Sequence, residues 1–230
     1  MDPFFRPVLV YRWIVFLLAA SFAVYQIFTA SYDGAGGPFR YLTNWALLLS
    51  FYSASRMLAV SEGRITRPHL VTASVTAVLN AMVVIRYWRL YLQDPSLVSG
   101  SREIDWVLDY YLHLVGPLLQ LIDAMIIARA FRRHVPALGA LLALVLAYAA
   151  WAELFVGPLN RTPIGSVTSG LPYPFLNDME AQARAIFYCI NLAVAWILYV
   201  IFAVLAAGVR RLSRPPIKPS DPPGSPDSAR

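Results

Sequence analysis

Read from its amino end, the chain alternates apolar runs with short polar turns. The runs extend over about Pro7 to Phe28, Pro38 to Val60, His69 to Leu92, Trp106 to Arg129, Pro136 to Val156 and Arg184 to Val209. At about 1.5 Å of rise per residue, each is long enough to cross a hydrocarbon core of about 30 Å. The turns SYDGAGG, SEGRITRP, QDPSLVSGSREID and ARAFRRHVP separate the first five runs, and a longer connection, Gly157 to Ala183, precedes the sixth. Pro38 stands where a second helix would begin, a position that favours proline. The first run exceeds the length of a signal-peptide core and no small-residue cleavage site follows, so it reads as a span. The pattern predicts an all-α integral membrane protein with six transmembrane helices over residues 1–212. The tail, 213–230, has six prolines in 18 residues and almost nothing apolar, so disorder is expected there.

Charge sets the orientation. With the N-terminus inside, 13 of the 19 basic residues fall on the inner side, among them Arg6, Arg64, Arg67, Arg132, Arg133 and Arg211. An excess of Arg and Lys in cytoplasmic segments is the usual rule, so both termini are expected in the cytoplasm. Composition agrees with a membrane chain: 58% hydrophobic, 14% charged, mean hydropathy +0.56, against about a quarter charged in soluble domains. The net charge of +6 is scattered around apolar runs and forms no continuous stripe, which argues against nucleic acid as a partner. Of the 19 basic residues all but Lys218 are Arg, a bias that suggests a GC-rich genome and a bacterial inner membrane. A single cysteine, Cys189, excludes an intrachain disulfide and any multi-cysteine metal site. It reads as a small core residue.

The fourth run carries Asp109, His113, Gln120 and Asp123, groups that hydrocarbon does not solvate and that often mark function. Asp109 lies one turn before His113 on the same helical face. His113 is either a reacting group or a structural histidine that bonds a neighbouring helix. Counting from the outer ends, Thr43, Arg86, His113, Glu153 and Asn191 all fall roughly 5–10 Å below the outer interface. Five helices delivering hydrogen-bonding groups to one layer predict a polar pocket, and the Gly157–Ala183 connection is either its cover or a plain surface loop. Asn80, Gln120 and Asp123 are expected to join helices by hydrogen bonds. His69 and His134 are expected at the inner interface, and Trp13, Trp45, Trp88 and Trp106 in interfacial belts. The chain lacks GxSxG, HExxH, P-loop and GxGxxG signatures, and no metal or cofactor is expected.

Four segments carry a family resemblance. GGPFRYLTNW resembles the G-G-x-[WF]-[KR]-[YF]-L-T segment of the androgen-induced and androgen-dependent membrane proteins, which are multi-pass hydrolases of fatty acid esters of hydroxy fatty acids. YWRLYLQDPSLV, LHLVGPLL and LPYPFLNDMEAQAR are similar to later segments of that family, in the same order, over about residues 34–205. YLTNW is also similar to a segment of the rolling-stone group of membrane proteins. The resemblance implies a threonine nucleophile at Thr43 and a histidine base at His113, acting through an acyl-threonine on a lipid ester drawn from the surrounding membrane lipids. Asp109 or Tyr110 would orient the imidazole, Asn44, Arg86 and Asn191 are the candidates for the oxyanion donor, and Glu153 is a supporting residue. The same polar layer also suits a non-enzymatic protein that binds or carries a small lipophilic ligand.

Overall fold

The computed structural model describes residues 5–95, 98, 105–161 and 169–212. The proline-rich tail and part of the long connection, 162–168, lie outside the described residues. Among the described residues there are six long helices: α1 (Phe5–Thr29), α2 (Leu42–Ser61), α3 (Leu70–Gln93), α4 (Trp106–Ile127), α5 (His134–Leu159) and α6 (Ala181–Leu212). Among the described residues there is no strand. All but α2 are long and apolar enough to cross a membrane, so the protein is an integral, multi-pass membrane protein. The α2 helix is 20 residues long and buries Asn44, Ser50 and Ser53.

One boundary differs from the sequence pattern. Pro38 does not open α2; it opens a separate 3₁₀ turn, Gly37–Arg40, and Tyr41 is extended before α2 starts at Leu42. The cause is the glycine pair before it. Gly36 and Gly37 have φ of 80° and 47°, and a Cβ on Gly37 would lie 2.9 Å from the Tyr32 ring. Only glycine adopts such a turn without strain.

The helices are apolar outside as well as inside. On α6, Ala195, Tyr199, Phe202 and Ala206 are buried, whereas Ile186, Ile190, Ile197, Val204 and Leu205 are exposed. In water such a surface would drive association; here it is the lipid face. The α3 helix lies at the centre, packed against α2, α4, α5 and α6, while α1 packs on α2 and α4. Its buried stretch is rich in small residues, Ala73, Ser74 and Ala77, which let neighbouring backbones approach closely.

Polar side chains tie together the half of the bundle that holds the start of α1 and the end of α2. Arg12 reaches from α1 to Asp123 Oδ1 at 3.0 Å and also donates to Met57 O and Ser61 Oγ. Asn80 donates to Ser50 Oγ at 2.8 Å, and Gln120 to Ser50 O at 3.1 Å. Asn80, Gln120 and Asp123 therefore do join helices. His134 Nδ1 lies 3.1 Å from the Tyr199 hydroxyl. Cys189 is exposed rather than in the core, because α6 buries only the stripe containing Ala195 and Tyr199.

Candidate active site

Proline shapes the helix that carries His113. Pro117 has no N–H and therefore cannot bond the carbonyl four residues back, that of His113. The helix widens into a π-helical segment, Tyr111–Val115, closed by Gly116 N–H donating to Tyr111 O. The freed His113 carbonyl accepts a hydrogen bond from Trp88 Nε1 at 2.8 Å. Glycine is needed beside the proline, since a Cβ on Gly116 would meet Tyr111 O at 3.0 Å. The same device recurs on α5. There Trp151–Val156 is π-helical and ends in Gly157–Pro158, with Gly157 N–H donating to Ala152 O. The four residues Val-Gly-Pro-Leu occur at both places, 115–118 and 156–159, a repeat that the hydrophobic pattern had hidden. Such π segments gather at functional sites; two of the three among the described residues carry His113 and Glu153, and the third, Asp123–Ile127, carries the partner of Arg12.

His113 is 6% exposed. Its ring stacks on Tyr87 with centroids 3.6 Å apart and planes within 9°. Nδ1 lies 3.0 Å from the Asp109 carbonyl oxygen and 3.8 Å from Asp109 Oδ1. A carbonyl can only accept, so Nδ1 carries the proton and Nε2 of the neutral ring keeps its lone pair. Tyr110 is 45% exposed, with its ring against Trp88 and Trp106. Asp109, rather than Tyr110, is the residue that reaches the imidazole.

Thr43 lies in the first turn of α2, and the chain around it is held from four sides. Asn44 Nδ2 donates to Pro38 O, Trp45 Nε1 and Trp151 Nε1 both donate to Phe39 O, and the Tyr148 hydroxyl donates to Arg40 O. The Tyr173 hydroxyl accepts from Leu42 N–H at 3.3 Å. Tyr173 lies between the helices' ends, and burial pushes its phenol above the ordinary range, so it stays protonated at neutral pH. Arg40 is 3% exposed and donates to Gly37 O and Asp33 O. Thr43 itself is half-buried, and its hydroxyl and backbone N–H make no hydrogen bond among the described residues. It shares a face of α2 with Ala46 and Leu47. Ala46 packs with Leu79 and Val83 of α3, and Leu47 with Leu108, Tyr111 and Leu112 of α4. Tyr87, the ring partner of His113, is one turn beyond Val83. Thr43 thus lies on the side of α2 turned toward α3 and α4.

The rest of the layer closes between α3, α5 and α6. Arg86 Nη2 donates to Asn191 Oδ1 at 2.8 Å, and its guanidinium lies over the Phe187 ring. Glu153 accepts from Arg184 Nε at 2.9 Å and from the Tyr188 hydroxyl at 3.1 Å. Arg86 and Asn191 meet directly, whereas Asn44 commits its amide nitrogen to the 3₁₀ turn and Asn191 Nδ2 is bonded to Phe187 O. Sequence reasoning missed Tyr87, Tyr148, Tyr173, Arg184 and Tyr188. Trp45 and Trp88 are structural donors to Phe39 and His113 rather than belt residues alone, while Trp13 and Trp106 face outward.

A family model described as FAR-17a/AIG1-like protein matches residues 8–207. The chain belongs to this family. No curated protein and no solved structure matches it. The FAR-17a/AIG1-like match spans α1 through most of α6 and so takes in both the Thr43 segment and the His113 segment. It is the family that the four sequence segments resemble.

Proposed function

We propose that the layer around His113 is the active site of a membrane-embedded hydrolase of lipid esters, with Thr43 as nucleophile and His113 as base. The observation that carries this reading is the imidazole held at Nδ1 by the Asp109 carbonyl, with Nε2 left as acceptor. A neutral ring with a free Nε2 lone pair can take up a proton, and the Asp109 carboxylate at 3.8 Å stabilises the imidazolium that forms. Thr43 Oγ attacks the ester carbonyl carbon as Nε2 takes the hydroxyl proton. The tetrahedral intermediate collapses, the C–O bond to the leaving alcohol breaks, and that oxygen takes the proton from Nε2. Water, deprotonated by Nε2, then attacks the acyl-threonine, and the fatty acid leaves as Thr43 Oγ recovers its proton. The unpaired Thr43 N–H at the start of α2 suits the oxyanion, since helix N-termini favour negative charge. Fatty acid esters of hydroxy fatty acids are the substrates that the family resemblance suggests.

The same reading takes α2 as a sixth span with both termini cytoplasmic, supported by the 13 basic residues on that side. The site then faces the outer leaflet of what we take to be a bacterial inner membrane. Hydrolysis of branched fatty acid esters by purified protein tests the chemistry. Thr43→Ala and His113→Ala should each abolish it, and the double variant should be no worse than either, because a nucleophile and its base act as one unit. One observation favours a second reading, ligand binding without covalent chemistry: Thr43 and His113 share no direct hydrogen bond. Full retention of a saturable ester-binding signal with no turnover would select it.

A further inference from the structure

The described part of the long connection, from Ser169 on, is tied down at both ends. Gly170, with φ of 82°, donates its N–H to Asn160 O at 2.6 Å. Asn177 Oδ1 accepts from Leu171 N–H at 2.8 Å, and its Nδ2 donates to Ser169 O at 3.2 Å. Leu171 and Leu176 are buried and pack with Ala152 of the α5 π segment. At the far end Arg184, the partner of Glu153, donates to Met179 O at 2.7 Å. A segment locked by its own packing and hydrogen bonds holds a side chain in one place.

The side chain held here is Tyr173. Its ring packs on Phe175 and against Tyr41, and its hydroxyl neighbours that of Tyr148. The same hydroxyl accepts from Leu42 N–H at 3.3 Å, across 131 residues of sequence. Leu42 is the first residue of α2. The first N–H groups of a helix have no partner within it, and a Ser, Thr, Asp or Asn at the N-cap usually supplies one. Tyr41 occupies that position and its side chain makes no capping bond. Asn44 N–H donates to Tyr41 O at 3.1 Å, so the Thr43 N–H lies open between two bonded neighbours. A cap from residue 41 would act differently. An N-cap side chain takes the N–H of the second or third helical residue, here Thr43 or Asn44, and at Thr43 it would compete with the oxyanion. We propose that Tyr173 is a positioning residue for Thr43: its hydroxyl caps α2 from outside the helix and, by engaging Leu42, leaves the Thr43 N–H free for the oxyanion. The effect on turnover rests on the hydrolase reading; the cap does not.

The test reads the cap and the chemistry separately, on the full chain in phosphatidylcholine nanodiscs. In the wild type, amide hydrogen exchange resolved to single residues should be at least about tenfold slower at Leu42 than at Thr43. In Tyr173→Phe, which keeps the ring, Leu42 should exchange at least about tenfold faster than in the wild type, with far-UV circular dichroism unchanged. With a branched fatty acid ester, Tyr173→Phe should lower kcat about tenfold and leave KM within about twofold. Fluorophosphonate should label Thr43 more slowly by the same factor. Tyr41→Phe, at an exposed neighbour of Tyr173, should change none of these. A hydroxyl with only a structural role would lower stability without this split between kcat and KM. Equal exchange of Leu42 and Thr43 in the wild type, a measurement that needs no variant, overturns the cap. So does an unchanged Leu42 amide in folded Tyr173→Phe. Unchanged kcat, or a rise in KM alone, in a variant whose Leu42 amide has opened overturns the positioning role. A protein that shows the expected exchange and hydrolyses no ester would remove the hydrolase and leave the cap standing.

Discussion

Replacing Asp123 by Leu removes the partner of a charge buried between α1 and α4. Arg12 Nε and Asp123 Oδ1 are 3.0 Å apart, and both side chains are 8% exposed. At that separation, with an effective dielectric of about 20, the attraction is about 5 kcal/mol. Much of it offsets the cost of taking two charges out of water. Losing one partner is nevertheless expensive, about 3–5 kcal/mol, because the other charge stays buried and uncompensated. Arg12 would keep only Met57 O and Ser61 Oγ, at 3.1 and 2.7 Å. The double variant Arg12→Met/Asp123→Leu removes both charges and should recover to within about 1 kcal/mol of wild type. Unfolding by sodium dodecyl sulfate in mixed micelles, followed by far-UV circular dichroism, measures all three. An Asp123→Leu cost below about 0.5 kcal/mol, the scale of a surface substitution, refutes the pair as a structural clamp. So does a double variant no more stable than the single one. Turnover per folded molecule should be unchanged in Asp123→Leu, since the pair lies beside Met57 and Ser61, at the end of α2 away from Thr43.

Gly116→Ala and Gly139→Ala form a matched pair on two helices. A Cβ at 116 would crowd Tyr111 O and the Tyr111 ring at 3.0 and 3.1 Å, whereas one at 139 meets nothing within 4 Å. Gly116→Ala should therefore cost about 1–3 kcal/mol and lower turnover by disturbing the His113 segment. Gly139→Ala should be neutral or stabilising by up to about 1 kcal/mol. Arg129, two residues past the end of α4, has φ of 51°, a conformation that favours glycine, so Arg129→Gly should raise stability by about 1 kcal/mol in the same unfolding assay. For topology, single cysteines introduced near Arg132 on a Cys189→Ala background should react with impermeant maleimide only after the membrane is opened. Labelling of that turn from outside intact cells would reverse the orientation.

The spans were legible because an apolar run of about 20 residues has few alternatives in a membrane. Their ends were less so. Pro38 looks like a helix start, and nothing in the apolar pattern reveals that Gly36 and Gly37 turn the chain first. Depth arithmetic placed Arg86 and Asn191 in one layer, and they meet at 2.8 Å. It also marked Asn80, Gln120 and Asp123 as interhelical ties, but not their partners, because Arg12 and Asp123 are 111 residues apart. Which faces meet depends on how helices rotate against each other, and runs that are apolar on every side carry little record of it. The tyrosines illustrate this: Tyr87, Tyr148, Tyr173 and Tyr188 look like scattered interfacial aromatics until the fold brings their rings and hydroxyls to His113, Arg40, Leu42 and Glu153. Cys189 was misplaced for the same reason. The π segments did leave a trace, Val-Gly-Pro-Leu twice, which reads as a hinge only when the missing N–H of each proline is followed to the carbonyl it frees.

The central claim is that Thr43 is a nucleophile activated by His113. Purified protein treated with a fluorophosphonate probe and digested for mass spectrometry tests it most directly, since the probe captures an activated hydroxyl and leaves an ordinary threonine untouched. The account predicts an adduct on the peptide containing Thr43, located at that residue. It should be absent in Thr43→Ala and lost in His113→Ala, yet present in Asp123→Leu. A fully folded wild-type protein with no adduct at Thr43, or one whose Thr43 labels equally without His113, would contradict it.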